Sequence, residues 1–242
     1  MPSDKSWLDQ EIAHRRIAEG ENRIPPAIAV VVAAVAYALL PDSLLFVPRF
    51  VIPAVEAVLL VALVTTNPVR MIRESRWSRV ASVCLVGVVI LTNLVALGFL
   101  VHSLVEPNTK GLTLLIAGMQ VWLTNVIGFG LLYWELDRGG PVVRRRARRD
   151  QLPAADWRFS QDEDDDAVVE VAATSSVKSG WIPIFLDYLY MSVTNSTAFS
   201  PTDTMPLTNR AKIFMAIQAT AALLTSLLII ARAVGALGSS GG

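Results

Sequence analysis

Two acidic side chains stand inside apolar stretches of this sequence, where a carboxylate could bind a cation or pass a proton. Glu56 lies in "IPAVEAVLLV" and Asp187 lies in "IFLDYLY". Ionisable residues are costly in hydrocarbon and usually face a partner helix or a wet cavity. Two roles therefore stay open for each carboxylate: structural pairing or capping, and a place in an ion or proton path.

A hydroxyl-rich stretch, residues 194–203 ("TNSTAFSPTD"), is the second place where chemistry could occur. Its Ser, Thr and Asn side chains compete for backbone hydrogen bonds, and Pro201 ends any helix before it. We expect a helix, then a polar break and turn, and then Thr208 as the N-cap of a final helix. At membrane depth this break would be a site, and at the membrane surface it would be an ordinary loop. The candidate residues for a polar path are Thr194, Asn195, Ser196, Thr197, Ser200 and Asp203.

Other residue types give no sign of catalysis. His14 and His102 lack Cys or acidic companions at ligand spacing, and Cys84 is the single cysteine. The stretch "GFGLL" lacks the third glycine of a dinucleotide loop, so we interpret it as a place of close helix packing. The net charge is zero. We therefore expect no enzyme activity, no metal, no cofactor and no nucleic-acid partner.

The elements that position these residues are predicted to be membrane helices. Of the 242 residues 53% are apolar and 17% are charged, and the mean hydropathy is +0.49. Such a chain is typical of an all-α integral membrane bundle, here with five or six membrane segments. Amides inside these segments are expected to form interhelical hydrogen bonds, and they are Asn93, Gln120, Asn125 and Gln218. The predicted full spans are residues 24–40, 50–66, 80–104, 112–134 and 213–234.

Charge patterning divides the chain into five parts. Residues 138–180 hold "RRRARR" and then "DEDDD", with few residues able to form a core. This composition predicts a disordered or loosely held loop, either a solvated linker or a segment that touches lipid or regulates the protein. The parts are an amphipathic cytoplasmic segment (1–23), a four-helix transmembrane part (24–137), the charged loop (138–180), a pore-like helix with polar turn and last helix (181–237), and a flexible tail (238–242).

The distribution of Arg and Lys predicts the orientation. Basic residues are concentrated before the first span, after the second and after the fourth, which indicates a cytoplasmic N-terminus in a bacterial inner membrane. Residues 181–197 then either cross the membrane, which gives six segments, or are re-entrant, which gives five spans and an external C-terminus. The alternation of spans favours a crossing, although Arg210 and Lys212 would then lie outside.

Residues 187–212 ("DYLYMSVTNSTAFSPTDTMPLTNRAK") resemble the C-terminal signature of an uncharacterised bacterial membrane-protein family, domain of unknown function 1345. The similarity over the rest of the chain is only compositional. The resemblance implies a multispan inner-membrane protein and implies no assigned activity.

The same stretch is more faintly similar to the pore module of potassium channels. An aromatic helix, a Thr-rich stretch, an Asp, a Pro, an Arg and a last helix follow in the same order. Residues 181–212 contain no glycine, however, and a carbonyl filter needs glycine φ values. The favoured hypothesis is therefore channel-like cation transport along a hydroxyl-lined path in a homo-oligomer. The alternative is a non-transporting membrane scaffold or accessory protein.

Overall fold

The computed structural model describes residues 20–67, 69–71, 75–103, 111–163, 168–197 and 204–239. Two of the predicted site residues, Ser200 and Asp203, lie outside these ranges, as do residues 1–19 of the predicted amphipathic segment and residues 240–242 of the tail. The helices are α1 (Ile24–Ala38), α2 (Val51–Thr66), α3 (Arg76–His102), α4 (Gly111–Leu136), α5 (Pro141–Arg146), α6 (Val169–Ala172), α7 (Ser176–Ser179), α8 (Phe185–Thr197) and α9 (Asn209–Ser239). The strands are β1 (Glu21–Asn22), β2 (Arg70–Met71), β3 (Trp157–Phe159) and β4 (Thr204–Pro206).

Three of the described helices, α3, α4 and α9, are long and apolar enough to cross a membrane. The apolar helices α1 and α2 are shorter, with 15 and 16 residues. The chain is therefore a mostly helical protein with the features of membrane association, in agreement with the predicted fold class. Five or six membrane segments remain a prediction, because length and composition identify three.

Helices α1 to α4 run alternately in opposite directions between two ends of the bundle. Strand β1 pairs with β2, and the side chain of Trp134 donates to Glu21 over 2.7 Å. The start of α1, the end of α2, the start of α3 and the end of α4 therefore lie together, and we name this the basic end. At the opposite end Arg232 of α9 donates to the carbonyl of Ser103, just after α3, over 3.2 Å.

Local sequence explains several helix boundaries. Pro25 and Pro26 occupy the first turn of α1, where a missing N–H removes no helical hydrogen bond. Helix α3 begins four residues before the predicted span because Ser75 caps it, its hydroxyl accepting from the Ser78 N–H over 3.0 Å. The predicted cap at Thr208 is confirmed, since the Ala211 N–H donates to its hydroxyl over 3.3 Å.

The described part of the charged segment 138–180 is folded, which differs from the expected loose loop. Trp157 of β3 is fully buried, with its ring 4.9 Å from that of Tyr133 and its N–H 3.1 Å from the sulfur of Met215. Arg144 is also fully buried and donates to the carbonyls of Trp134 and Asp137. The composition of residues 138–180 predicted a loop because few of them are apolar. The buried residues among them find their partners on other helices, and a local sequence pattern does not reveal such partners.

Helix α8 enters the bundle at the basic end, and the chain returns to that end. Tyr188 in its first turns donates to Asp137 over 2.6 Å. The return is fixed by β4, which pairs with β3, and by Arg210, which forms two hydrogen bonds with Asp156. The Asp156 N–H in turn donates to Asp137. Both α8 and α9 thus start beside the linked carboxylates of Asp137 and Asp156. This arrangement favours the re-entrant alternative for residues 181–197 over the crossing.

Candidate membrane-embedded polar sites

Helix α8 packs closely on α4 because α4 has a glycine at the contact. A Cβ atom at Gly130 would lie 3.3 Å from the Cα of Leu189, too close for easy accommodation. The interpretation of "GFGLL" as a packing site is confirmed at this glycine. Small residues allow helix backbones to approach in membranes. The approach brings the hydroxyl of Ser192 within 2.7 Å of the carbonyl of Val126.

The buried side of α8 forms a closed hydrogen-bond network around Gln218 of α9. The Gln218 amide nitrogen donates to the hydroxyls of Ser192 and Ser196, over 2.6 and 2.8 Å. Its amide oxygen accepts from Tyr133 and Asn195, over 2.6 and 2.8 Å. All five side chains are buried. Two predicted path residues, Asn195 and Ser196, therefore have polar atoms that are already engaged in joining α8 to α9.

The other two described path residues lie on the opposite side of α8. Thr197 is exposed and Thr194 is partly exposed, in line with the exposed Leu186 and Tyr190. Each threonine hydroxyl donates to a carbonyl of its own helix, over 2.9 Å to Val193 and 3.0 Å to Met191. These hydroxyls face outward from a single chain, so they could line a path only where another molecule covers α8.

Asp187 has a capping role in the structure. Its carboxylate accepts from the Ile184 N–H over 2.7 Å, in the first turn of α8 at the basic end. An acceptor at a helix start satisfies one of the N–H groups that have no partner within the helix. Of the two roles left open for this carboxylate, the geometry favours capping.

Glu56 lies at a different place, inside the bundle formed by α1, α2, α3 and α4. Its side chain is 2% exposed, and it lines a small cavity with about 10 Å³ open to the centre of a water molecule. The cavity is on the face of α4 that carries Gln120 and Thr124, whereas α8 contacts Val126 and Gly130. The polar lining side chains are Tyr37, Glu56, Thr92, Asn93, Gln120 and Thr124.

Several polar atoms of this cavity have no hydrogen-bond partner among the described residues. They are Oε2 of Glu56, the hydroxyl of Tyr37, Oδ1 of Asn93 and Oε1 of Gln120. The amide nitrogen of Asn93 is engaged, donating to the Val121 carbonyl and the Thr124 hydroxyl over 2.7 and 2.5 Å. Buried polar groups are nearly always paired, so an exception needs an explanation. This cluster is named the Glu56 cavity below.

The sequence pointed to part of each site and missed the rest. The predicted interhelical bonding of amides is confirmed for Asn93 and Gln218, while the buried side chain of Asn125 has no partner among the described residues. Tyr37 and Tyr133 were not singled out, because a tyrosine in an apolar run looks like an ordinary core residue. Their hydroxyl groups could have indicated the polar sites, since the hydroxyl of a buried Tyr usually needs a hydrogen-bond partner.

Comparison with protein families, with curated proteins and with solved structures finds no match to this chain. The resemblances noted from the sequence therefore stay predictions.

Proposed function

We propose that the protein is a channel-like cation transport module of the bacterial inner membrane. The observation that carries this proposal is the placement of helix α8, which begins at the basic end and stops inside the bundle. In a membrane such a helix would be re-entrant. Half-helices of this kind are tolerated at membrane depth where they are buried in protein or line water, and their C-terminal carbonyls attract cations.

The proposal includes an orientation with the basic end in the cytoplasm. Among the described residues, that end holds Arg70, Arg76, Arg79 and the exposed part of "RRRARR", together with Arg210 and Lys212. The opposite end holds Arg49 and Arg232. Basic residues near span ends favour the cytoplasm, and a re-entrant α8 removes the objection that Arg210 and Lys212 raise against a crossing.

Transport along α8 requires an oligomer in this proposal. The hydroxyls of Thr194 and Thr197 face outward, and the buried polar side of α8 is occupied by its bonds to α9. A path that uses these threonines would therefore run between copies of the chain, with the exposed side of α8 toward the shared axis. Ser200 and Asp203 lie outside the described residues, and their part in this path stays a prediction from the sequence.

The test is cation flux into liposomes that contain the purified protein. We expect flux through the wild type, a lower flux in Thr197→Val and Asp203→Asn, and no change in Thr65→Val. Thr65 is a matched control because it is also exposed and also bonded to its own helix, over 2.8 Å to Ala62. A folded monomer, or an oligomer that passes no cation, would contradict the proposal.

A non-transporting scaffold is the second candidate, and one observation favours it. The buried hydroxyls and amides of α8 are saturated by partners on α4 and α9, as expected for a structural joint. In that case Thr197 and Asp203 would be replaceable without any effect on flux, because no flux would exist.

A further inference from the structure

We propose that the Glu56 cavity is a binding site for one small, dehydrated monovalent cation of the size of Na⁺. This inference goes beyond the proposed path along α8, since the cavity is lined by residues of α1 to α4 and of the turn after α1.

The first step is the chemistry of the lining. The unpartnered atoms are all oxygens: one carboxylate oxygen, two amide oxygens and one hydroxyl. Hard oxygen donors are what alkali and alkaline-earth cations prefer. Thr92 and Thr124 add further hydroxyls to the same lining, although both also donate to carbonyls of their own helices.

The second step is the arrangement of the neutral ligands. Asn93 is held by the two hydrogen bonds that its amide nitrogen donates across to α4. Its oxygen is therefore the free end of a fixed side chain, and it lines the cavity together with Glu56. Such fixation by outer contacts is what orients ligands at ion sites.

The third step concerns charge. Glu56 is the single ionisable acid among the described lining residues, and its net charge of −1 balances one monovalent cation. A divalent cation would leave an excess positive charge at membrane depth, which is costly. The described residues also contain no group of three His, Cys, Asp or Glu side chains that could jointly bind a metal ion.

The fourth step compares a cation with a proton as the occupant of the cavity. Three unpartnered acceptors face one unpartnered donor, the Tyr37 hydroxyl. Protonation of Glu56 at Oε2 turns one of these three acceptors into a donor and leaves two acceptors for two donors, so a proton also satisfies the hydrogen-bond count. In the proposal the three acceptors are ligands of one cation, and the free space suits an ion that has lost its water shell. The response of the protein to Na⁺ and to pH decides between the cation and the proton.

The site lies at membrane depth and nearer the end opposite the basic end. Asn93 is nine residues before the last residue of α3, and Gln120 is nine residues after the first of α4. At 1.5 Å per residue this is about 14 Å from those helix ends. A cation would therefore reach Glu56 most directly from the end that holds Arg49 and Arg232.

The experiment measures ²²Na⁺ binding to the purified full chain in lipid nanodiscs. We expect saturable binding at one site per chain, competed by Li⁺ and Na⁺ and not by choline. Glu56→Gln should weaken binding at least tenfold, and Gln120→Leu should weaken it severalfold. Glu170→Gln is the matched control, because it makes the same change at an exposed residue and should bind as the wild type does.

Each other outcome overturns the inference. Absence of saturable binding by folded wild type removes the site. Binding that persists in both Glu56→Gln and Gln120→Leu places the cation elsewhere. Thermal stability that responds to pH and not to Na⁺ makes Glu56 a proton site. The result is separable from the proposed function: Na⁺ binding without flux keeps the site and removes the transport path, whereas flux without Na⁺ binding does the reverse.

Discussion

The two faces of helix α4 bury polar groups in opposite ways. On the face toward α8 and α9, Gln218 and its neighbours form a network in which donors and acceptors are matched. On the face toward α1, α2 and α3, the Glu56 cavity holds four oxygens without partners among the described residues. A satisfied network rigidifies a fold, and an unsatisfied one keeps binding capacity at the expense of stability. This contrast is the basis for the structural role proposed for the first face and for the cation site proposed at the second.

The largest expected effect comes from breaking the satisfied face. Gln218→Leu leaves the hydroxyls and amide of Tyr133, Asn195 and Ser192 without their shared partner. We expect the free energy of unfolding to fall by about 3 kcal/mol, because several buried polar groups lose hydrogen bonds at once. Unfolding in mixed detergent micelles measures the change.

Thr220→Val on the same helix is the control for Gln218→Leu. The Thr220 hydroxyl is exposed and donates to a carbonyl of its own helix, so removing it should leave the free energy of unfolding nearly unchanged. If Gln218→Leu left the free energy of unfolding unchanged, the hydrogen-bond network around Gln218 would not be what joins α8 to α9.

Close packing of α8 on α4 gives the next largest effect. Gly130→Leu places a side chain against the backbone of Leu189, which cannot move aside as a flexible side chain would. We expect a loss of about 2 kcal/mol in the free energy of unfolding from overpacking. Gly87→Leu is a matched control, because a Cβ there meets nothing within 4 Å. Equal losses in the two variants would contradict close packing at Gly130.

The unsatisfied face should respond with the opposite sign. Glu56→Met replaces a buried carboxylate by an apolar side chain of similar length. In a buffer without alkali cations we expect the free energy of unfolding to rise by about 1 kcal/mol, since an unpaired buried polar group is removed. Unfolding of both proteins in choline chloride and in NaCl measures this, and Na⁺ should narrow the difference by stabilising the wild type. A destabilised Glu56→Met variant in choline would remove the contrast between the two faces.

The sequence predicted a helical protein with apolar membrane-length segments and the cap at Thr208, and it singled out Glu56 as a carboxylate inside an apolar helix, because each depends on local pattern. It favoured a crossing for residues 181–197, since alternation of spans is a counting argument. The pairing of Arg210 with Asp156, 54 residues apart, favours the re-entrant alternative instead. Trp157 and Arg144 were placed in a loose loop for the same reason. Partners distant along the chain determine both features, and they leave no periodicity in the sequence.

The smallest expected effect on stability comes from Thr197→Val on the outward side of α8. This variant distinguishes a structural role of the threonine from a role in transport. Thr197→Val removes a hydroxyl that bonds its own helix, so the free energy of unfolding should change by less than about 0.5 kcal/mol. If the threonine lines a path between copies, cation flux should nevertheless fall, because the same hydroxyl no longer contacts the ion. Flux measured beside stability in the same preparation gives the answer, with Thr65→Val as the matched control. Unchanged flux and stability together would make this side of α8 an ordinary lipid-facing surface and leave the Glu56 cavity as the one proposed cation site within the described residues.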